Sequence, residues 1–171
     1  GDRESFGYTD EFGNIIIEPK YDYAYEFSYG LAAVSIDNKW GFINQFDSLV
    51  IPMQYDWVSD FGEYGLNGIA MAKTEVPLDD LLMGWSPMRL AGKTTFINTK
   101  GELVTSHSYK TFRYSEEGVM VMIGFDNKWG AINMDAKELF PCRYDSIYFA
   151  RSMDSLYLYK EGIKEVYSLE D

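Results

Sequence analysis

The chain has 171 residues, 46% hydrophobic and 17% aromatic, which fits one domain or one short repeat array with a sizeable core and argues against disorder. Its 15 basic and 27 acidic residues leave a net charge of −12, a field that repels phosphate backbones and anionic bilayers, so neither nucleic acid nor membrane insertion is expected. Cys142 stands alone, which rules out an intrachain disulfide, and no apolar run approaches the length of a membrane span.

In chain order, the first recognisable stretch is Phe6-Gly7-Tyr8, followed by a turn at Gly13-Asn14 and the anchor PKYD at Pro19–Asp22. The loop YDYAYEFSYG then carries five aromatics in ten residues. Tyr21 and Phe27 recur further on as Tyr55 and Phe61, so both are expected in the core. Tyr23, Tyr25 and Tyr29 do not recur as tyrosine, and Trp57 takes the Tyr23 position in the next copy. Aromatics beside acids stack on sugars or anchor protein partners, which makes these four candidate binding residues. The run GLAAV from Gly30 reads as an apolar strand, and Asp37-Asn38 as a hairpin turn, because Asn tolerates left-handed φ.

KWGFIN at Lys39–Asn44 alternates large apolar with small or polar residues, the period of a half-buried strand. Trp40 is expected to fill the core, and Gly41 to let a neighbouring backbone or ring approach. After the turn Asp47-Ser48, LVIP forms a strand closed by Pro52, and Tyr55-Asp56 occupies the next corner. The Asp56 carboxylate is expected to accept backbone N–H groups two residues on. The loop FGEYGLNG, which brings in Tyr64 as a further binding candidate, leads to a third strand, IAMA. Three strands with short connections predict an antiparallel meander in each unit.

Tyr55 lies 34 residues after Tyr21, and Tyr144 lies 35 after Tyr109, but Tyr109 lies 54 after Tyr55. Most of the excess falls in an insertion over 74–91. Its Leu78, Leu81, Leu82 and Trp85 stand at i, i+3, i+4 and i+7 behind Pro77, which predicts a short amphipathic helix ending near Gly84–Pro87. Its apolar face is expected on its own sheet or on a partner chain, and Trp85 joins the binding candidates. The third copy departs from the pattern: Thr94-Thr95 stands for Trp-Gly, and His107 and Lys110 for proline and aspartate. The fourth returns as DNKWGAIN and PCRYD and ends in the worn strand SLYLY.

The repeated DNKWG with Ile-Asn behind it, the Ile-Pro and Tyr-Asp anchors and the subsequent Phe, Gly and apolar strand resemble the WG (KWG) repeat family of bacterial proteins. That resemblance implies a β-rich repeat architecture and carries no agreed catalytic residues. The expected fold is all-β: four tandem three-stranded antiparallel units near 34 residues in an open, twisted or solenoid-like array with one helical insertion. A closed propeller-like arrangement is the alternative. The chain is taken as a single domain with units over 6–38, 39–92, 93–127 and 128–171.

What recurs once per unit is architecture, because it builds the stack; function is sought where the units differ. His107 is the only histidine, and no nucleophile elbow, zinc pair or phosphate loop accompanies it, so no catalytic residue, metal or cofactor is expected. Asp22, Asp56 and Asp145 recur as turn residues in preference to Ca²⁺ ligands. The function expected is non-catalytic recognition or scaffolding of a protein or glycan. Two alternatives are a glycan- or peptide-hydrolysing enzyme with a grafted acidic site, and an immunity- or inhibitor-like protein whose acidity suits a basic enzyme. The leading Gly reads as an expression scar that would hide a removed export signal, which leaves a secreted or cell-envelope location open. Nothing in the sequence fixes the oligomeric state.

Overall fold

The structure is a computed structural model and describes residues 4–83, 86, 89–114, 118–152 and 154–169. Among these residues the chain is mostly β, in five small antiparallel sheets. The first pairs β1 (Phe6–Thr9) with β2 (Ile15–Tyr21). The second runs β3 (Tyr23–Ala24), β4 (Leu31–Ile36), β5 (Lys39–Asn44) and β6 (Leu49–Tyr55). The third contains β7 (Trp57–Val58), β8 (Ile69–Thr74) and β9 (Lys93–Asn98). The fourth holds β10 (Thr111–Tyr114), β11 (Val119–Ile123), β12 (Trp129–Asn133) and β13 (Glu138–Tyr144), and the fifth β14 (Ser146–Phe149), β15 (Ser155–Lys160) and β16 (Ile163–Ser168). The insertion holds one short helix, α1 (Leu78–Leu82), and among the described residues no helix is long and apolar enough to cross a membrane.

The strands do not group as the expected meander of KWGFIN, LVIP and IAMA. The first two, β5 and β6, close one sheet, and the chain then turns at Asp56 so that β7 and β8 open the next. One repeat therefore spans two sheets, and each Tyr-Asp corner is a crossing between them. Because consecutive sheets meet face to face, their inner strands are buried on both sides. Along β4, Ala32 and Val34 pack with Ile17 and Tyr21 of the first sheet, while Leu31 and Ala33 pack with Ala70 and Ala72 of the third. This is why LAAV is a continuous apolar run instead of an alternating one. Val119 and Met120 of β11 divide in the same way between the fifth and third sheets. The fifth sheet buries Leu156 and Leu158 on its inner face, and the outward Tyr157 carries Lys164 Nζ 3.3 Å from its ring centroid. SLYLY is worn because it covers an end.

Each letter of DNKWGFIN has a local cause. Asp37 and Asn38 both lie at positive φ, 50° and 60°, the two-residue hairpin between β4 and β5. Asn44 Oδ1 accepts the N–H groups of Phe46 and Ser48 at 3.0 and 3.1 Å, and Asn98 and Asn133 hold the same turn in their copies. Gly41 faces a bulge in β6: between the pairs Trp40↔Tyr55 and Phe42↔Ile51 the partner strand has extra residues, and a Cβ on Gly41 would stand 2.5 Å from the Ile51 carbonyl oxygen. Gly130 meets Phe140 in the same way at 2.7 Å, and Gly7 is packed against Ile17.

Thr95 occupies this glycine's place in the third sheet, and the fourth strand does not form there. The end pairs survive as single bridges, Thr94↔Tyr109 and Ile97↔Leu103, and between them the Phe96 carbonyl accepts the Val104 N–H at 2.8 Å without a bridge to Thr105. Counted back from Tyr109, Ser106 and not His107 stands at the position of Pro52 and Pro141; His107 matches Met53 and Cys142. Phe27 also departs from expectation. It makes the ring contact of its counterpart, 4.8 Å from Tyr8 as Phe61 is from Phe42, yet it is 38% exposed where Phe61 is 2%. The first sheet has only two strands, so nothing there corresponds to Leu31 and Ala33 of β4, which share a core cluster with Phe61.

We expect Gly41→Ala to lower stability by about 2–4 kcal/mol in urea unfolding, because Cβ must displace backbone. Thr95→Gly should change it by less than about 1 kcal/mol, since the Thr95 side chain is already accommodated there, with its Oγ1 3.3 Å from the Ala72 carbonyl oxygen.

Candidate functional site

The turns after β4, β8 and β15 meet the Tyr-Asp corners, where Asp22, Asp56 and Asp145 accept the N–H groups of Asp37, Val76 and Glu161. Aromatic rings gather there. Phe6 and Tyr23 stack with centroids 6.2 Å apart and planes at 16°, and Tyr23 and Trp40 continue the row at 6.1 Å and 19°. Trp40 is half-buried: it packs on the core as expected but also lines a cavity of about 260 Å³ with Tyr23, Trp57, Asp56 and Leu81. A larger cavity, about 660 Å³, lies beside it between Phe6, Tyr23, Glu4, Asp22 and Asp37, and Leu82 borders both. Trp129 repeats the theme, with Tyr148 at 6.4 Å and the Arg113 guanidinium 4.9 Å over its ring.

The sequence-chosen residues scatter relative to this row. Tyr23 and Trp57 line one cavity, and Tyr25 packs on Trp40 at 4.8 Å, its hydroxyl pKa raised by burial and by Asp60 and Glu63. Tyr29 is exposed and lies over Gly62, where a Cβ would come within 2.6 Å of its ring. Tyr64 is half-buried against the core between the third and fourth sheets, 5.8 Å from Phe112, with burial pushing its hydroxyl up to about 12. Trp85 lies outside the described residues. Phe6 and Trp40 belong to the row although their recurrence marks them as scaffold. The signal is present in the repeat itself, since Phe6 holds the Trp position of the first copy.

The Tyr-Asp carboxylates reach further than two residues. Asp56 Oδ2 accepts the Val76 N–H at 3.0 Å, from the next sheet, and its Oδ1 takes Lys39 Nζ at 2.5 Å. Asp145 does the same with Glu161 N–H and Lys128 Nζ, and Lys128 holds its carboxyl below the usual range. In the third copy Lys110 replaces the aspartate and donates to Asn127 Oδ1 at 2.9 Å, while Lys93 turns to Glu75. These carboxylates staple one sheet to the next.

The insertion replaces the two-residue hairpin of the third sheet, between β8 and β9. Val76 and Leu90 anchor it in the core, but α1 has no buried residue, and Leu78 and Leu82 are 55% and 72% exposed. The expected packing of the helix face on its own sheet does not occur; five residues give too short a stripe to reach it. Beneath the insertion Lys73 is fully buried. Its Nζ donates to Thr94 Oγ1 at 2.8 Å and Leu90 C=O at 3.2 Å, and Thr94 holds the register position of Trp40 and Trp129. With no carboxylate in contact among the described residues, burial pulls its pKa from 10.5 down to about 8.

Two constellations bear on catalysis. His107 and Cys142 line one cavity of about 250 Å³, a pairing invisible in the sequence, yet burial pushes the thiol up to about 11, opposite to an activated nucleophile. Asp60 is raised to about 6 by burial and by the neighbouring Glu63 and Glu26, but none of the cavities described above is lined by it. Among the described residues no three His, Cys, Asp or Glu side chains are placed to hold a metal ion.

Comparison with family models finds the WG containing repeat in four segments, 6–40, 40–74, 95–129 and 129–162, which leaves the insertion between them. No curated protein matches. Among solved structures, a chain described as the WD40 beta propeller domain of Doa1 is similar over 91% of this chain and 56% of its own length, at 10% identity and a TM-score of 0.29.

Lys73 yields a pH test. Its folded-state pKa lies below that of the unfolded chain, so between about 8 and 10.4 the unfolded state binds more protons and stability rises with pH. Lys73→Met should be about 1–2 kcal/mol more stable than the parent at pH 7, with the gap narrowing as pH rises through 8 toward 9.5 in parallel urea titrations.

Proposed function

The chain belongs to the WG containing repeat family, and from that premise we propose that it is a non-catalytic recognition module. In this reading its repeats, over 6–38, 39–92, 93–127 and 128–171, form an open, twisted array that displays one binding face, and the partner is a protein. The observation that carries it is the row Phe6–Tyr23–Trp40 running into the cavity lined by Trp57, with the exposed leucines of α1 beside it. Aromatic anchors set in a polar, acidic rim are what a protein contact needs. A flat sugar needs free ring faces, and here the stacked faces are largely occupied by one another, which favours a protein over a glycan. The charge of −12 favours a basic partner.

The hydrolase reading has less support. Its best acid, Asp60, faces no described cavity, and the thiol beside His107 is held in its unreactive form. An inhibitor of a basic enzyme is a special case of the recognition reading, distinguished by what the partner does and not by how it is held.

Tyr23→Ala/Trp57→Ala tests the face. Applied to a captured partner in surface plasmon resonance, with a glycan array run beside it, the double variant should weaken protein binding at least tenfold, or about 1.4 kcal/mol, while its melting temperature stays within a few degrees. Unchanged protein affinity, or binding confined to the glycan array, would overturn the assignment.

A further inference from the structure

Asp56 and Asp145 each bind two groups: one oxygen takes a hairpin N–H from the next sheet, and the other takes a lysine from the start of the strand that carries the Trp. Asp22 holds the same place. It comes directly after Tyr21, which pairs with Phe6 as Tyr55 pairs with Trp40 and Tyr144 with Trp129. Its Oδ2 takes the Asp37 N–H at 2.7 Å, matching the first half of the pattern. The second half is missing. Ser5 stands where Lys39 and Lys128 stand, and Asp22 has no ion pair among the described residues. The 660 Å³ cavity opens at this position, walled by Phe6 and Tyr23, with Glu4 and Asp37 at its rim and no cationic side chain among its described lining residues.

We propose that this cavity takes the ε-ammonium of a lysine from a partner protein, seated on Asp22 as Lys39 and Lys128 are seated on Asp56 and Asp145. The inference rests on the recognition reading above and names the group that face receives. Two sites in the same chain supply the template, so the case is more than an acidic cluster: the equivalent oxygen binds an ammonium at 2.5 Å in both. The exposed flanks of the Phe6 and Tyr23 rings give the methylene stem apolar walls. A cavity of this volume holds far more than one ammonium, leaving room for the residues on either side of the lysine. A divalent cation would need six or more oxygens, and aromatic walls do not provide them.

The test is a ¹H–¹⁵N correlation titration of the full chain with the peptide acetyl-Gly-Lys-Gly-amide, with its Nε-acetyl-lysine form and with spermidine. The free-lysine peptide should shift the amides of Asp22, Tyr23, Asp37 and Asn38 with a weak, millimolar-range dissociation constant, and the acetylated peptide should not. Ser5→Lys, an exposed change that supplies the missing lysine in cis, should weaken the peptide about tenfold or more while keeping the spectrum of the fold. Asp22→Asn, which retains an acceptor for the Asp37 N–H, should do the same. Equal shifts with the acetylated peptide, or full binding to Ser5→Lys, would overturn the inference. Spermidine binding the same amides more tightly than the peptide would overturn its assignment to a protein lysine. A negative titration beside a partner still lost on Tyr23→Ala/Trp57→Ala would sink this inference alone, whereas a partner insensitive to that double variant would sink the recognition reading.

Discussion

The contact on which the rest depends is a glycine Cα pressed against a bulged backbone. At Gly41 and Gly130 the outermost strand of the sheet gains extra residues opposite the glycine, and the carbonyl of Ile51 or Phe140 fills the space a Cβ would need. The bulge bends the strand and brings the Tyr-Asp corner to the end of the sheet. There the chain crosses to the next sheet, Tyr55 and Tyr144 enter the core, and the adjoining aspartates bind the neighbouring hairpin. Trp beside the glycine covers the same corner. Trp-Gly accompanies the crossings after Tyr55 and Tyr144, and in the third copy the crossing after Tyr109 is made beside Thr94-Thr95.

In the third copy that contact is given up, and the local structure changes with it. Beside Thr95 the fourth strand shrinks to two bridges, and Thr94 Oγ1 accepts the buried Lys73 ammonium. A two-residue hairpin becomes an eighteen-residue excursion from Glu75 to Gly92 whose hydrophobic anchors, Val76 and Leu90, close over the lysine. The swapped charges belong to the same change: with Lys110 in the aspartate's place, Lys93 pairs with Glu75 of the insertion. The exposed leucines of α1 then stand beside the aromatic row. One altered dipeptide has turned a structural corner into a surface.

Much of this was legible in the sequence, for identifiable reasons. The hairpin at Asp37-Asn38, the strand KWGFIN and the insertion are local, written in turn chemistry and period, and the repeat made the register unambiguous. Sheet membership was not legible, because a meander and a crossing chain share the same strands and turns, and only the partner across the Tyr-Asp corner differs. The reach of Asp56 to Val76 was hidden for the same reason. Phe27 was misjudged because register assigns a role but not a number of neighbours, and the first sheet lacks two strands. Of the residues lining the 260 Å³ cavity, Tyr23 and Trp57 stand out in the sequence as departures from the repeat. Phe6 and Trp40 were overlooked because recurring residues were assigned to architecture, although a residue of the stack can also be its exposed end.

Native-state amide hydrogen exchange tests the bulge account most directly. If the Trp-Gly glycine is what admits the fourth strand, the amides of residues 49–55 and 138–144 are protected together with their sheets, and those of 105–108 exchange orders of magnitude faster in the same molecule. Equal protection of all three segments would contradict it, because the strand would then form as well beside Thr95 as beside Gly41.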